Sequence, residues 1–313
     1  MITSIIFPGQ GSQAIGMGLD LAQNFAIAKA VFDEVDATLG QNLSTLMFSG
    51  NADELTQTQN AQPAIMAVSL AVLRILESET GETIPNLCSY VAGHSLGEYS
   101  ALCAAGVFNI ATAAKLLRAR GLAMAAAGEK TGGAMASVLG LTVAQAQELA
   151  DQAAAPNEFC VLANDNCPGQ VVLSGHPAAI ARATELGQQM GARKVVKLPV
   201  SGAFHSQLMQ PAADEMAAIL ADMPFAAPSV PVVMNVTAAP DTDPNILKAL
   251  LVQQITGRVR WTESIQWLAS QDVKNYIECG NGKVLAGLIG RTQPDAQIIS
   301  LGTYESLKAY LEG

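Results

Sequence analysis

The sequence predicts an α/β protein with a parallel sheet in its larger part and a small β-α-β-β-α-β unit inserted near its middle. Three observations carry that expectation. Short β-rich runs alternate with helical spacings as far as Ala126. A strand runs through a glycine-flanked serine directly into a helix at Gly93–Gly97. From Ala134 onward, paired strands replace the strand–helix alternation.

Thr3-Ser4-Ile5-Ile6-Phe7 reads as a buried strand, ended by Pro8-Gly9 and a glycine-rich loop, Gly9-Gln10-Gly11-Ser12. Asp20–Leu39 has helical spacing. Ala61–Leu76 does too, with Pro63 at its first turn and Ile65, Val68, Leu73 and Leu76 as its apolar positions. Leu87–Ala92 reads as a strand, the segment through Ala105 as a small-residue helix, and Ile110–Ala126 as another helix. Ala134–Leu139 is then a strand and Thr142–Ala155 a helix opened by a threonine cap. Phe159–Ala163 and Gln170–Ser174 are strands around a Pro168-Gly169 turn. Pro177–Met190 is a helix stopped by Gly191, and Lys194–Pro199 is a strand. This order is the ferredoxin-like pattern. It divides the chain into a large domain, 1–129 and 199–313, and a small subdomain, 130–198.

With 313 residues, 50% hydrophobic and only 14% charged, the chain can bury a large core, and disorder is not expected. The net charge of −10 argues against nucleic-acid partners. Five cysteines without a CxxC pair predict buried thiols, neither a disulfide framework nor a zinc site. The uncharged first 19 residues lack a basic start and are broken by Pro8, Gly9 and Gly11. The uncharged stretch Met223–Pro240 holds four prolines. A cytoplasmic protein without membrane contact, acting as a monomer, is the expectation.

Gly93-His94-Ser95-Leu96-Gly97 lies between strand and helix, the context of a nucleophile elbow, and makes the larger domain α/β-hydrolase-like. A serine hydroxyl needs a base within hydrogen-bond reach. Three histidines are available. His94 adjoins the serine and suits packing or support of the elbow. His176 lies at a strand-to-helix junction of the small subdomain, where a role near the helix cap is enough. His205, in Gly202-Ala203-Phe204-His205-Ser206, is expected at the end of a sheet strand, where ligand chemistry gathers in open α/β sheets. It is the best base candidate.

These residues resemble a specific family. Phe7-Pro8-Gly9-Gln10-Gly11-Ser12-Gln13, Gly93-His94-Ser95-Leu96-Gly97-Glu98-Tyr99, Arg120-Gly121, Gly202-Ala203-Phe204-His205 and Gly282-Lys283-Val284-Leu285 occur in the order seen in malonyl-CoA:acyl carrier protein transacylases. The likeness runs from Ile5 to about Ile289. It implies that Ser95 is acylated, that His205 is the base, and that a main-chain carbonyl at Gln254 orients His205. It implies an oxyanion hole made by the backbone N–H groups of Gln10 and Leu96, and a malonyl carboxylate held by Arg120. An arginine fork suits a carboxylate because it donates to both oxygens. The implied reaction is ping-pong transfer of malonyl from malonyl-CoA to the phosphopantetheine thiol of acyl carrier protein, for fatty acid biosynthesis. Coenzyme A enters as part of the substrate, and no metal or other cofactor is implied. Asn281 and Cys279 depart from the family pattern, where a proline and an aliphatic residue are usual. Neither position belongs to the implied chemistry.

Carrier proteins of this kind are acidic, as is this chain, so docking requires a local basic surface. Arg193, Lys194 and Lys197 are one candidate cluster, and Lys283 with Arg291 another. A stand-alone malonyltransferase of a polyketide pathway is an alternative with the same chemistry. A serine thioesterase or esterase is a weaker one, because standard α/β-hydrolases place the histidine after the acid and nothing after His205 is histidine. A non-catalytic carrier-binding module would leave Ser95, His205 and Arg120 without purpose.

Overall fold

A computed structural model of the chain describes residues 2–200 and 202–313. Met1 and Ser201, both inside the ranges expected for the large domain, lie outside the described residues. In chain order the strands are β1 Thr3–Phe7, β2 Tyr90–Gly93, β3 Ala134–Leu139, β4 Cys160–Cys167, β5 Gln170–Gly175, β6 Lys194–Lys197, β7 Val232–Met234, β8 Ala239–Asp241, β9 Val259–Arg260, β10 Asn275–Cys279 and β11 Gln297–Leu301. They form two sheets in a mixed α/β fold.

The first sheet has the order β11-β10-β1-β2-β7-β8. All its pairs are parallel except the last. Helices cover both faces, which is why β1 reads as an unbroken apolar run. Ile5 and Phe7 join the main core with helix Thr58–Thr80, while Ile6 packs on the opposite face with Ala92, Val233 and Trp261. Phe7 is in register with Gly93, so the loop after β1 and the serine turn after β2 leave the sheet side by side.

The second sheet runs β6-β3-β5-β4-β9, antiparallel as far as β4, with β9 added parallel. The strand period of two is visible in its packing. Ala134, Ala136, Val138, Val171 and Leu173 face helices Val143–Ala153 and Pro177–Gln189, whereas Met135, Ala163 and Val172 join the main core. The register of β4 slips between Leu162 and Asn164 and again between Asp165 and Cys167. Such bulges re-aim side chains, and here Asn164 and Asn166 line the cavity beside the serine.

Several boundaries differ from the sequence reading. The helix expected over Asp20–Leu39 breaks at Phe25, whose backbone is extended. The break seats Phe25 against Tyr304, at 5.7 Å between ring centroids. The helix containing Pro63 begins at Thr58, so Pro63 lies inside it and not in its first turn. Its polar start is buried and paired: Gln62 Nε2 donates to Thr58 Oγ1 at 2.9 Å, and Asn60 Nδ2 to the Glu54 carbonyl at 2.9 Å. A helical turn, Ile84–Leu87, replaces the expected start of β2, and the helix from Ile110 continues to Thr131. Among the described residues no strand leads directly into His205. The preceding one, β6, belongs to the second sheet and ends at Lys197.

Helix Thr58–Thr80 is long and apolar enough to cross a membrane, but 83% of its most apolar stretch is buried in the fold. All five cysteines are free and buried. Burial pushes Cys88 and Cys103 up to about 12, far from a reactive thiolate.

Candidate active site

The serine turn is built by what glycine lacks. A Cβ on Gly93 would lie 1.9 Å from the Gly97 carbonyl oxygen, and one on Gly97 would lie 2.3 Å from that of Phe7. The elbow is pressed against itself and against β1, so both flanking positions exclude any side chain. Ser95 sits at φ 53°, a left-handed conformation disfavoured for serine and typical of strained functional positions. Its N–H donates to Asn235 Oδ1 at 2.7 Å, and Asn235 Nδ2 donates to the Gly93 carbonyl at 2.6 Å, clamping the turn from β7's end. His94 points away from the serine. Its ring packs on Trp261 at 5.6 Å, and its Nε2 is 2.8 Å from Asn166 Oδ1.

Ser95 Oγ lies 2.8 Å from His205 Nε2. The imidazole also sits at positive φ, 56°, in the turn before helix Gln210–Ala221. Its Nδ1 is 2.8 Å from the main-chain carbonyl of Gln254 and 3.2 Å from that of Gly257, where helix Pro244–Thr256 ends. Carbonyls only accept, so Nδ1 carries the proton and Nε2 presents its lone pair to the serine hydroxyl. His205 is 4% exposed; burial first, and the Arg120 charge second, push its pKa down to about 3. The ring is therefore neutral at ordinary pH and free to accept a proton.

Arg120 is 1% exposed and lies beneath the serine. Its Nη1 donates to Gln62 Oε1 at 2.7 Å, and its Nη2 to Gln254 Oε1 at 2.8 Å and to Ser95 Oγ at 3.1 Å. Among the described residues its Nε has no partner, and the Tyr99 ring lies 5.6 Å from the guanidinium carbon. The helix pair that brings Arg120 to Gln62 is close because residue 121 is glycine: a Cβ there would come within 2.5 Å of Gln59 Cα.

Ser95, His205 and Arg120 open into a cavity of about 280 Å³, with Met124, Met135, Val172, Leu198 and Phe204 on its apolar side. Gln10 lines it, on the loop beside the elbow. Leu96 is buried at the start of helix Gly97–Ala104. Among the described residues neither of their backbone N–H groups donates a hydrogen bond, so both are available to an incoming oxygen. A second cavity of about 200 Å³ shares Gln10, His94, Asn166, Val172 and Leu198 with the first and reaches Gln170 and Val284.

The remaining sequence candidates lie outside this cluster. His176 precedes helix Pro177–Gln189 and accepts from the Phe159 N–H at its Nδ1, 2.8 Å away. Arg193 and Lys194 are exposed at the start of edge strand β6, and Lys283 is exposed at the start of helix Val284–Thr292. Arg291 Nη2 donates to Gln170 Oε1 at 2.7 Å, joining that helix to β5.

The acyl transferase domain model matches residues 5–299. The malonyl CoA-acyl carrier protein transacylase of Bacillus subtilis is 41% identical over 99% of this chain and 96% of its own length. The chain belongs to the malonyl-CoA:acyl carrier protein transacylase family. A family member of known structure, the acyl-carrier-protein S-malonyltransferase of Bartonella henselae, is 48% identical. It superposes with a TM-score of 0.95 over 100% of this chain and 99% of that one. A malonyl-transacylase solved in complex with the acyl carrier protein of a type II polyketide synthase is 36% identical, also at 0.95, covering 100% and 99% of the two chains.

Sequence reading missed part of this transacylase site. Gln62, Asn235 and the side chains of Glu98 and Gln254 form its buried polar lattice. Glu98 is 0% exposed, accepts from the Asn235 N–H at 2.5 Å and from Gln254 Nε2 at 2.7 Å, and is pushed up to about 8 by burial. Glu98 stands beside the elbow glycine, and its presence as the one charged residue of helix Gly97–Ala104 was the available signal. Gln62 and Asn235 lie in segments with no local motif; only the three-dimensional contact reveals them.

Proposed function

We infer that this chain moves a malonyl group from malonyl-CoA to the phosphopantetheine thiol of acyl carrier protein, with Ser95 as the acylated residue. One observation carries the reading: a single serine oxygen lies 2.8 Å from a neutral imidazole nitrogen and 3.1 Å from a buried guanidinium. The imidazole suits a nucleophile and the guanidinium suits a substrate with a free carboxylate.

In the first half-reaction Ser95 Oγ attacks the thioester carbon while His205 Nε2 takes the hydroxyl proton. The N–H groups of Gln10 and Leu96 receive the developing oxyanion, and each such donor is worth about 3–4 kcal/mol. The C–S bond then breaks, and His205 returns the proton to the departing coenzyme A sulfur. The carrier thiol reverses these steps on the Ser95 ester, which makes the kinetics ping-pong. Ser95, His205 and Arg120, together with the two backbone N–H groups, supply the acid, base and electrostatic groups this cycle uses, and coenzyme A enters as substrate. Gln254 orients the base through its main-chain carbonyl.

The second cavity continues the first toward helix Val284–Thr292, which supports Lys283 as a carrier contact; Arg193 and Lys194 on β6 are the other candidates. The order β6-β3-β5-β4 supports a ferredoxin-like reading of 130–198 as a small subdomain. The parallel sheet with its serine elbow supports an α/β-hydrolase-like reading of 1–129 and 199–313. The same chemistry serves fatty acid synthesis or a polyketide line, and the 36%-identical polyketide relative keeps that second pathway open. A monomer working in the cytoplasm completes the reading.

Intact-protein mass measurement after mixing with malonyl-CoA tests it. A single malonyl adduct is expected on the parent, none on Ser95→Ala, and discharge on adding carrier protein. An adduct of equal yield on Ser95→Ala would overturn the assignment.

A further inference from the structure

Among the described residues no carboxylate touches Arg120, although the cation is buried. A buried charge without a counter-charge is costly. The nearest carboxyl group is Glu98, one amide away; burial raises its pKa, but an N–H donor on each of its two oxygens and the Arg120 charge favour the carboxylate. Arg120 Nη2 donates to Gln254 Oε1 at 2.8 Å, and Gln254 Nε2 donates to Glu98 Oε2 at 2.7 Å. The same Nε2 donates to the Ser95 carbonyl at 2.8 Å. Glu98 Oε1 takes the Asn235 N–H, and Asn235 Oδ1 takes the Ser95 N–H.

We propose that Glu98 is a positioning residue that supplies the counter-charge of Arg120 through the Gln254 amide, holding the guanidinium in place with no carboxylate of the chain directly on it, so that its charge and its remaining N–H groups are left to the substrate carboxylate. The proposal rests on the malonyl-transfer reading. A carboxylate in direct contact would occupy the fork, and malonyl would have to displace it. The interposed amide avoids that and still links the charges through polarised hydrogen bonds. Its orientation is fixed from both ends. Oε1 must face the Arg120 donor, and Nε2 must face the acceptors at Glu98 and Ser95. This polarity is consistent only if residue 98 offers acceptors to both of its neighbours. The Ser95–His205 contact and the bond from His205 Nδ1 to the Gln254 main chain are not made by these side chains, so a change at residue 98 that keeps the Asn235 bond weighs first on the guanidinium and only second on the serine.

Glu98→Gln keeps shape and removes one acceptor. The Asn235 N–H is backbone and cannot turn, so the new amide must present its oxygen there and its NH₂ to the NH₂ of Gln254. Either two donors clash, or Gln254 turns over and sets a donor against Arg120. Acylation of Ser95, read by rapid-quench intact mass, should lose about ten- to a hundredfold in kcat/KM with malonyl-CoA. The loss should lie in KM, and acetyl-CoA, without a carboxylate, should change by less than about threefold. Equal losses with both substrates, or none, would overturn the proposal.

Combining Glu98→Gln with Gln254→Glu restores donor-to-acceptor polarity from Asn235 to Arg120, but it sets a carboxylate oxygen against the Ser95 carbonyl, where Gln254 Nε2 donated, and puts a carboxylate directly on the guanidinium. This double variant should recover part of the melting temperature without recovering malonyl use. Recovery of both would mean that Glu98 only holds the fold, and would overturn the proposal even if the single variant does not fold. A parent protein that takes up no malonyl would defeat the transfer reading itself.

Discussion

Arg120→Lys separates the charge at this site from its geometry. The guanidinium spans two glutamine oxygens, Gln62 Oε1 at 2.7 Å and Gln254 Oε1 at 2.8 Å, while keeping Nη2 within 3.1 Å of Ser95 Oγ. An ammonium has three N–H groups radiating from one point and cannot bridge those acceptors and also grip two carboxylate oxygens. At least one hydrogen bond to a charged group is lost, worth about 1.5–3 kcal/mol, so malonyl acylation should fall roughly ten- to a hundredfold in kcat/KM. Acetyl-CoA should be far less affected, and discrimination between the two should shrink accordingly. Burial adds a second signature. Arg120 stays protonated despite desolvation because arginine starts so high, whereas a lysine in the same place is driven toward its neutral form. The malonyl defect should therefore deepen as pH rises from 6.5 to 8.5, in the direction of losing the cation. Quenched-flow mass measurement of the Ser95 adduct, with both thioesters at both pH values, reads all of this. A lysine variant that keeps the parent's malonyl rate and its malonyl-to-acetyl ratio would refute the fork argument.

His205 should make the fold acid-sensitive. Its folded pKa, about 3, lies below the unfolded value near 6.5, so between those limits the unfolded chain binds more protons and stability falls as pH drops. The penalty is on the order of 2 kcal/mol at pH 5. His205→Asn, compared with the parent by urea unfolding at pH 7.5 and 5, should lose less stability on acidification; an identical pH slope would contradict a buried neutral imidazole. Gly97→Ala places a methyl 2.3 Å from the Phe7 carbonyl oxygen and 2.8 Å from that of Pro8. It should destabilise by about 1–3 kcal/mol and slow acylation more than about tenfold by moving the Leu96 N–H away from Gln10. A normal melting temperature with normal acylation would show that the elbow can move off β1 without consequence.

The elbow is legible in the sequence because its requirement is the absence of a side chain, and Gly93 and Gly97 state that directly. The small second sheet is legible for a similar reason. Strands of period two and a threonine-capped helix at Thr142, with its full capping box, are local signals that the fold obeys. The start of helix Thr58–Thr80 is not legible. Thr58, Asn60 and Gln62 look like loop residues until Asn60 pairs with the nearby Glu54 carbonyl and Gln10 and Arg120 arrive from elsewhere in the chain. The approach of His205 is misread for the same reason. A turn held at positive φ by contacts with Gln254 and Gly257 has no periodicity to display. Asn235, which clamps the Ser95 N–H from 140 positions away, is wholly a product of tertiary contact.

The two partners of His205 and Ser95 pull the chemistry in one direction. A carbonyl dipole at Nδ1 orients the ring but stabilises imidazolium less than a carboxylate would, and Arg120 disfavours that cation further. In the proposed cycle His205 is consequently a weak base, and the burden falls on stabilising negative charge at the thioester oxygen through the Gln10 and Leu96 N–H groups. Such a balance suits exchange between two thioesters of similar energy, because a proton held weakly on Nε2 passes readily to a departing thiolate. It also explains why Glu98 is kept one amide away. Directly paired with Arg120, it would cancel the positive charge meant for the substrate carboxylate and fill its place.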